Sequence, residues 1–152
     1  MSNKQPPRVY LDVCALSRPF DDQDQVRIRL ETSAVDLILS HARSGDLQLV
    51  VSRVHDVEIA AISHMEERRQ LELMLEQIGV RPTLDLARAR QRAEALVAQN
   101  VGVADAAHLA FAEQASADFV TYDDRLLHQC RRIGLKVWFG TPPTYCDKEN
   151  LR

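Results

Sequence analysis

Several things are scarce in this chain. Three cysteines, Cys14, Cys130 and Cys146, are an odd number with no C-x-x-C pair. That argues against a disulfide framework and predicts reduced thiols in a cytoplasmic protein. No apolar run approaches the roughly 18 residues that a membrane helix needs. The opening M-S-N-K-Q-P-P-R lacks an apolar core, so no signal peptide is expected. Positive charge is not in excess: 19 Lys and Arg stand against 22 Asp and Glu, a net charge of −3. Any surface for nucleic acid must therefore be local. Internal repeats, low-complexity segments and linkers are missing too. A chain of 152 residues then reads as one domain, since domains commonly run to roughly 100–200 residues, with one sizeable core. Its bounds are read as residues 8–142, with irregular termini at 1–7 and 143–152.

What is present is alternation. A strand is expected over Arg8 to Leu11, ending at Asp12. The polar stretch S-R-P-F-D-D-Q-D follows as a loop, because Pro19 opposes regular structure. From Gln25 to Ser44 a stripe of Leu30, Ala34, Leu37, Ile38 and His41 predicts a helix, with Gly45 as its stop. Leu47 to Val51 reads as a buried strand, and a helix carrying Glu58 comes next. A second helix after His64 is closed by Gly79, and Pro82 marks a turn or an edge strand. Leu86, Ala89, Ala93, Leu96 and Val97 mark a further helix, broken at Gly102. An alanine-rich helix then opens on Asp105, followed by a strand from Asp118 to Thr121. Another helix opens on Asp123 and Asp124 and stops at Gly134; Lys136 to Trp138 is a last strand before an irregular tail. Strands alternating with helices predict an α/β fold whose parallel sheet is covered on both faces.

In such sheets ligands gather at the carboxyl ends of the strands. Asp12 closes the first strand and Asp123 follows a later one. Glu58 lies in the helix leaving the second strand, and Asp105 begins the helix that feeds the later strand. Four acids from distant places can thus meet at one rim. Each has a plainer reading. Asp at a helix start is a common N-cap, worth about 1 kcal/mol, and Thr121 with Asp124 resembles a capping arrangement. Glu58 alone fits a solvated face. Asp12 has no predicted helix to cap. Together the four favour a site, and a cap can still face a cleft. Like charges in one cleft repel, and a divalent cation removes the conflict. Oxygen ligands without zinc spacing point to Mg²⁺ or Mn²⁺. Such an ion suits phosphodiester hydrolysis.

These residues resemble the PIN-domain family over nearly the whole chain, from Val9 to about Pro142. The matching elements are Y-L-D with Asp12, S-R-V-H-D-V-E with Glu58, V-A-D-A-A-H-L-A with Asp105 and F-V-T-Y-D with Asp123. The last two in tandem are the most specific. The resemblance implies a three-layer α/β/α fold around a parallel sheet of about four to five short strands. It also implies an endoribonuclease dependent on Mg²⁺ or Mn²⁺, of the kind found as VapC-like toxins of type II toxin–antitoxin pairs. A homodimer and a cognate antitoxin are the implied partners, with RNA as substrate and no membrane. By position Asp12, Glu58, Asp105 and Asp123 are the implied catalytic and metal-binding quartet. The chain departs from the family where Asp-Thr-Asn or Asp-Ser-Asn is common: Val13 and Cys14 follow Asp12. Cys14 reads as a small buried hydrophobe there. The departure motivates an alternative, a degenerate PIN fold that binds nucleic acid or protein without cutting. A phosphoaspartyl protein is a third class, but its D-x-D or paired acids are not found.

Arg18 lies in the loop after Asp12 and is a candidate for a substrate phosphate; its plainer role is pairing with Asp21 or Asp22. Arg125 leads a basic stretch with His128, Arg131, Arg132 and Lys136 that could face an RNA backbone. Three residues after Asp105, His108 reads as packed or hydrogen-bonded rather than as a ligand. Tyr122 reads as packing, with base stacking the alternative.

Overall fold

A computed structural model describes residues 5–152. The part of the expected lead-in at residues 1–4 lies outside the described residues. The chain runs β1 (Arg8–Leu11), α1 (Val13–Ser17), a 3-10 turn (Arg18–Phe20), α2 (Val26–Ser44), β2 (Gln48–Val50), α3 (Arg53–Ala60) and α4 (Met65–Ile78). It continues with β3 (Gly79–Val80), α5 (Leu86–Ala98), α6 (Val103–Gln114), β4 (Asp118–Val120), α7 (Asp124–Ile133), β5 (Phe139–Gly140) and α8 (Pro142–Lys148).

The five strands form one sheet in the order β3-β2-β1-β4-β5, every neighbouring pair parallel. Period-two alternation divides their side chains between two cores. Val9, Leu11, Leu49, Val51 and Val120 face a cluster with Ile38 and Leu39 of α2, Leu71 and Leu75 of α4 and Tyr145 of α8. Tyr10, Val50 and Phe119 face the other cluster, with Leu96 of α5, Leu109 of α6 and Leu126 of α7. Both faces are covered, which explains why the strands read as short apolar runs rather than alternating ones. This is the three-layer α/β/α arrangement expected of the sequence. Among the described residues no helix is long and apolar enough to cross a membrane.

Several local expectations change. The stretch after Asp12 is not a bare loop. It holds α1 and the 3-10 turn, in which Pro19 takes an early position, where its missing N–H is not needed. Gly45 and Gly134 do close α2 and α7, with left-handed φ of 87° and 63°. Gly79 does not act this way. Its φ is −68° and it starts β3. A Cβ there would sit 2.4 Å from the Leu75 carbonyl oxygen, so close approach is what requires glycine. The last strand lies later than Lys136 to Trp138, because the Lys136 amide is taken by the Glu113 carboxylate at 2.9 Å. The tail is helical rather than irregular. Thr141 caps α8, and Pro142 and Pro143 occupy its first positions, where proline is favoured. Tyr145, Cys146 and Leu151 complete the core against α2.

Candidate active site

The chain builds β1, then β2 and β3 to one side, and returns to place β4 and β5 on the other. The order therefore switches between β1 and β4, where a crevice opens at the strands' carboxyl ends. Leu11 pairs with Val120 there, and the Asp12 amide donates to the Val120 carbonyl at 3.3 Å. Asp12 leaves β1 at this point. It does cap a helix: its Oδ1 accepts from the Ala15 amide at 2.9 Å and starts α1. Its side chain is buried, and burial pushes the carboxyl up to about 6. Hydrogen bonds from Thr121 and the Ala15 amide oppose that rise, and the nearby Asp105 adds to it.

Asp123 follows β4 and caps α7, its Oδ1 accepting from the Arg125 and Leu126 amides at 3.0 and 3.2 Å. Thr121 is not the cap. Its hydroxyl oxygen accepts from the Asp123 amide at 3.1 Å. Asp105 does not open its helix either. Gly102 is the N-cap of α6 and Asp105 sits in the first turn. Burial raises the Asp105 carboxyl, and the charges of Asp123 and Glu58 raise it further. Glu58 points from α3 to His108, whose Nε2 donates to its carboxylate; that bond holds Glu58 below the usual range.

Asp105 thus couples electrostatically to each of the other three predicted acids, but the four are not converged. Among the described residues no three His, Cys, Asp or Glu side chains stand close enough to hold one ion. The chemistry of the donor set nevertheless fits a hard divalent cation. Every candidate donor is a carboxylate, Asp12 is desolvated, and the charge of Asp105 disfavours the ionised form of Asp12. A cation would reverse the sign of that interaction. An apolar cleft of about 540 Å³ between α5 and α6 lies elsewhere and contains none of the acids.

Arg18 is engaged by its own chain. Its guanidinium pairs with Asp21 at 2.9 Å and with the buried Glu31 of α2 at 3.2 Å, and lies 3.6 Å over the Tyr122 ring. Tyr122 therefore stacks on this arginine. Arg27 reinforces the same corner, bonding the Tyr122 carbonyl and pairing with Asp124 at 3.0 Å. Arg125 is exposed and, among the described residues, forms no ion pair. Cys14 is exposed, not buried. Val13, Ala15 and Leu16 take the inward face of the short α1 and leave Cys14 outside. Thr121, at the end of the adjacent strand, lowers the Asp12 carboxyl against the rise from burial.

The PIN domain matches the sequence over residues 9–132. This chain belongs to the PIN domain family. Its fold resembles the crystal structure of FitAcB from Neisseria gonorrhoeae, with a TM-score of 0.53 at 19% identity, covering 88% of this chain and 97% of that one. It resembles equally FitAB bound to an IR36 DNA fragment, with a TM-score of 0.53 at 18% identity, covering 88% and 94% of the two chains. At such identities the likeness concerns the fold. No match was found among curated proteins.

Proposed function

We propose that this PIN domain is an endoribonuclease dependent on Mg²⁺ or Mn²⁺, serving as the toxin of a toxin–antitoxin pair. The observation that carries the reading is the coupling of a desolvated Asp12 to Asp105, with Asp123 and Glu58 on the same rim. Asp12 and Asp105 are the residues that would hold the ion. Asp123 and Glu58 complete the site or orient water. A bound ion supplies a lowered pKa for water and neutralises charge on the phosphodiester. The chain's own part is orientation. The Ala15 amide fixes Asp12, and the first turn of α7 fixes Asp123. Glu58 Oε1 is taken by His108, which leaves Oε2 to accept from water. Arg125 is the candidate for a substrate phosphate. Arg18 serves the substrate indirectly, by holding Tyr122 and the loop before Asp123. An antitoxin and a second copy of the chain are the proposed partners, and the cytoplasm is the setting that this role implies.

The decisive experiment is cleavage of total RNA by the wild type and by Asp105→Asn, with and without Mn²⁺. Loss of several kcal/mol of charge stabilisation predicts a fall of at least about a thousandfold in the variant. An inert wild type, or equal cleavage by the two proteins, would defeat the proposal. RNA binding that survives in Asp12→Asn without metal would favour the binding-module alternative.

A further inference from the structure

Beneath the acid rim lies a buried polar chain that ends on Glu58. Ser52 Oγ is 2.8 Å from the Tyr10 hydroxyl, and that hydroxyl is 2.5 Å from His108 Nδ1. His108 Nε2 then reaches Glu58. Ser52, Tyr10 and His108 are all buried. A carboxylate only accepts, so Nε2 carries the proton that faces Glu58. Ser52 Oγ also accepts from the Val54 amide at 3.2 Å, and the Tyr10 hydroxyl joins it to Nδ1. The four groups come from β1, the end of β2, α6 and α3.

The helix that carries Glu58 needs such a tie. Of its eight residues only His55 and Ile59 are buried. His55 is itself locked, accepting from the Ser52 amide at 3.0 Å and donating to the Leu11 carbonyl at 2.7 Å. Leu11 immediately precedes Asp12, so the base of α3 is registered to the first acid. Glu58 lies a turn away from that anchor, and its carboxylate is held by His108. His108 and Asp105 share a face of α6, three residues apart.

We infer that His108 is a positioning residue: anchored at Nδ1 by Tyr10 and donating from Nε2, it fixes the Glu58 carboxylate beside Asp105. The inference rests on the metal-dependent reading of this rim. It makes Glu58 a pre-set member of the acid group rather than a mobile surface side chain, and it assigns the setting to a residue that touches neither ion nor substrate.

Two amide variants separate positioning from packing. In His108→Gln the amide nitrogen falls near Nε2 and can still donate to Glu58. In His108→Asn it falls near Nδ1 and cannot. Both place an amide in the core, and thermal melts report that shared cost. Mn²⁺ affinity of the full chain, measured by calorimetry, is expected to fall about 10–100-fold in His108→Asn, as for other residues behind a metal site, and to stay much closer to wild type in His108→Gln. Equal affinities in all three proteins, or equal losses in both variants, would overturn the inference. A wild type that binds no Mn²⁺ would instead defeat the nuclease reading. Positioning is then decided by amide hydrogen exchange without metal. Exchange along α3 should be faster in His108→Asn than in His108→Gln, and identical exchange would overturn it.

Discussion

The two layers that cover the sheet follow different rules. The side formed by α2, α4 and α8 is packed with aliphatic residues around Ile38, Leu39, Leu71 and Leu75. The side formed by α5, α6 and α7 is built from alanines, leucines and Phe119, and it contains Tyr10, whose hydroxyl starts the path to the acids. The buried Ser52, His55 and His108 adjoin it. The first layer gains stability from volume and lost water. The second gives up some of that gain to orient groups. The acid rim lies over the second layer, as it must. Tyr10 is two residues before Asp12 and on one face of β1, so β1's pleat brings the polar chain under the site.

The sharpest way to break the contrast is to empty the aliphatic side. Ile38 is fully buried on α2. Ile38→Ala should cost about 2–5 kcal/mol in denaturant unfolding. A cost below about 1 kcal/mol would mean that this layer is not close-packed.

The site should respond with the opposite sign. Asp12 titrates at about 6 when folded, against 3.8 for the ordinary side chain. Between those values the folded state binds more protons than the unfolded one. The contribution of Asp12 is therefore nil below about 3.8, turns unfavourable as pH rises, and is complete above about 6. Asp12→Asn should thus stabilise the metal-free protein at pH 7 by on the order of 3 kcal/mol, shrinking toward zero at pH 4. His55, held down to about 3 by burial, titrates alike in both proteins and cancels from the difference. A difference that does not change with pH would refute the assignment. On the proposed metal-dependent reading, the same linkage predicts that Mn²⁺ binding releases a proton from Asp12 below about pH 6.

Much of this was legible in the residues. The strands at Arg8–Leu11, Gln48–Val50 and Asp118–Val120 announced themselves as short apolar runs between helical stripes, because both faces of the sheet are buried. The strand-end rule then gave the acids a common address. What could not be read was side-chain commitment. Asp123 caps α7, and nothing local in the sequence distinguishes an aspartate that caps from one that would also ligate. Cys14 was expected to be buried because free cysteine usually is, but α1 turns Val13, Ala15 and Leu16 inward and leaves Cys14 outside. The α8 helix was hidden by Pro142 and Pro143, which read as breakers until Thr141 is recognised as their cap. The link from Tyr10 to Glu58 spans 48 positions of sequence through His108, and no local pattern encodes it.

A smaller change probes the polar side alone. Tyr10→Phe removes one oxygen and keeps the ring that packs on His55 and Phe119. It strands His108 Nδ1 and the Ser52 hydroxyl. The expected cost is about 1–3 kcal/mol, the range for a buried polar group left unpaired. If the cost is near zero, a water has replaced the hydroxyl or the chain of bonds carries little.

The smallest effect on stability is expected at the rim, where two arginines restate the contrast. Arg18 belongs to the side of α2: it pairs with Glu31 and Asp21 and stacks on Tyr122. Arg125 lies in the first turn of α7 on the other side and, among the described residues, has no ion-pair partner. A committed arginine cannot give its charge to a phosphate without breaking its own pairs, whereas an exposed one can. Arg125→Ala should therefore change stability by less than about 0.5 kcal/mol. In a salt titration of RNA binding by the uncleaving Asp105→Asn protein it should lower the slope of log K against log salt by about one phosphate's worth. Arg18→Ala should do the reverse, costing stability and leaving the slope alone. If both variants leave the slope unchanged, RNA reaches the acids by another face. If Arg18→Ala lowers it, the corner at Tyr122 opens on binding, and the division between a committed and a free arginine fails.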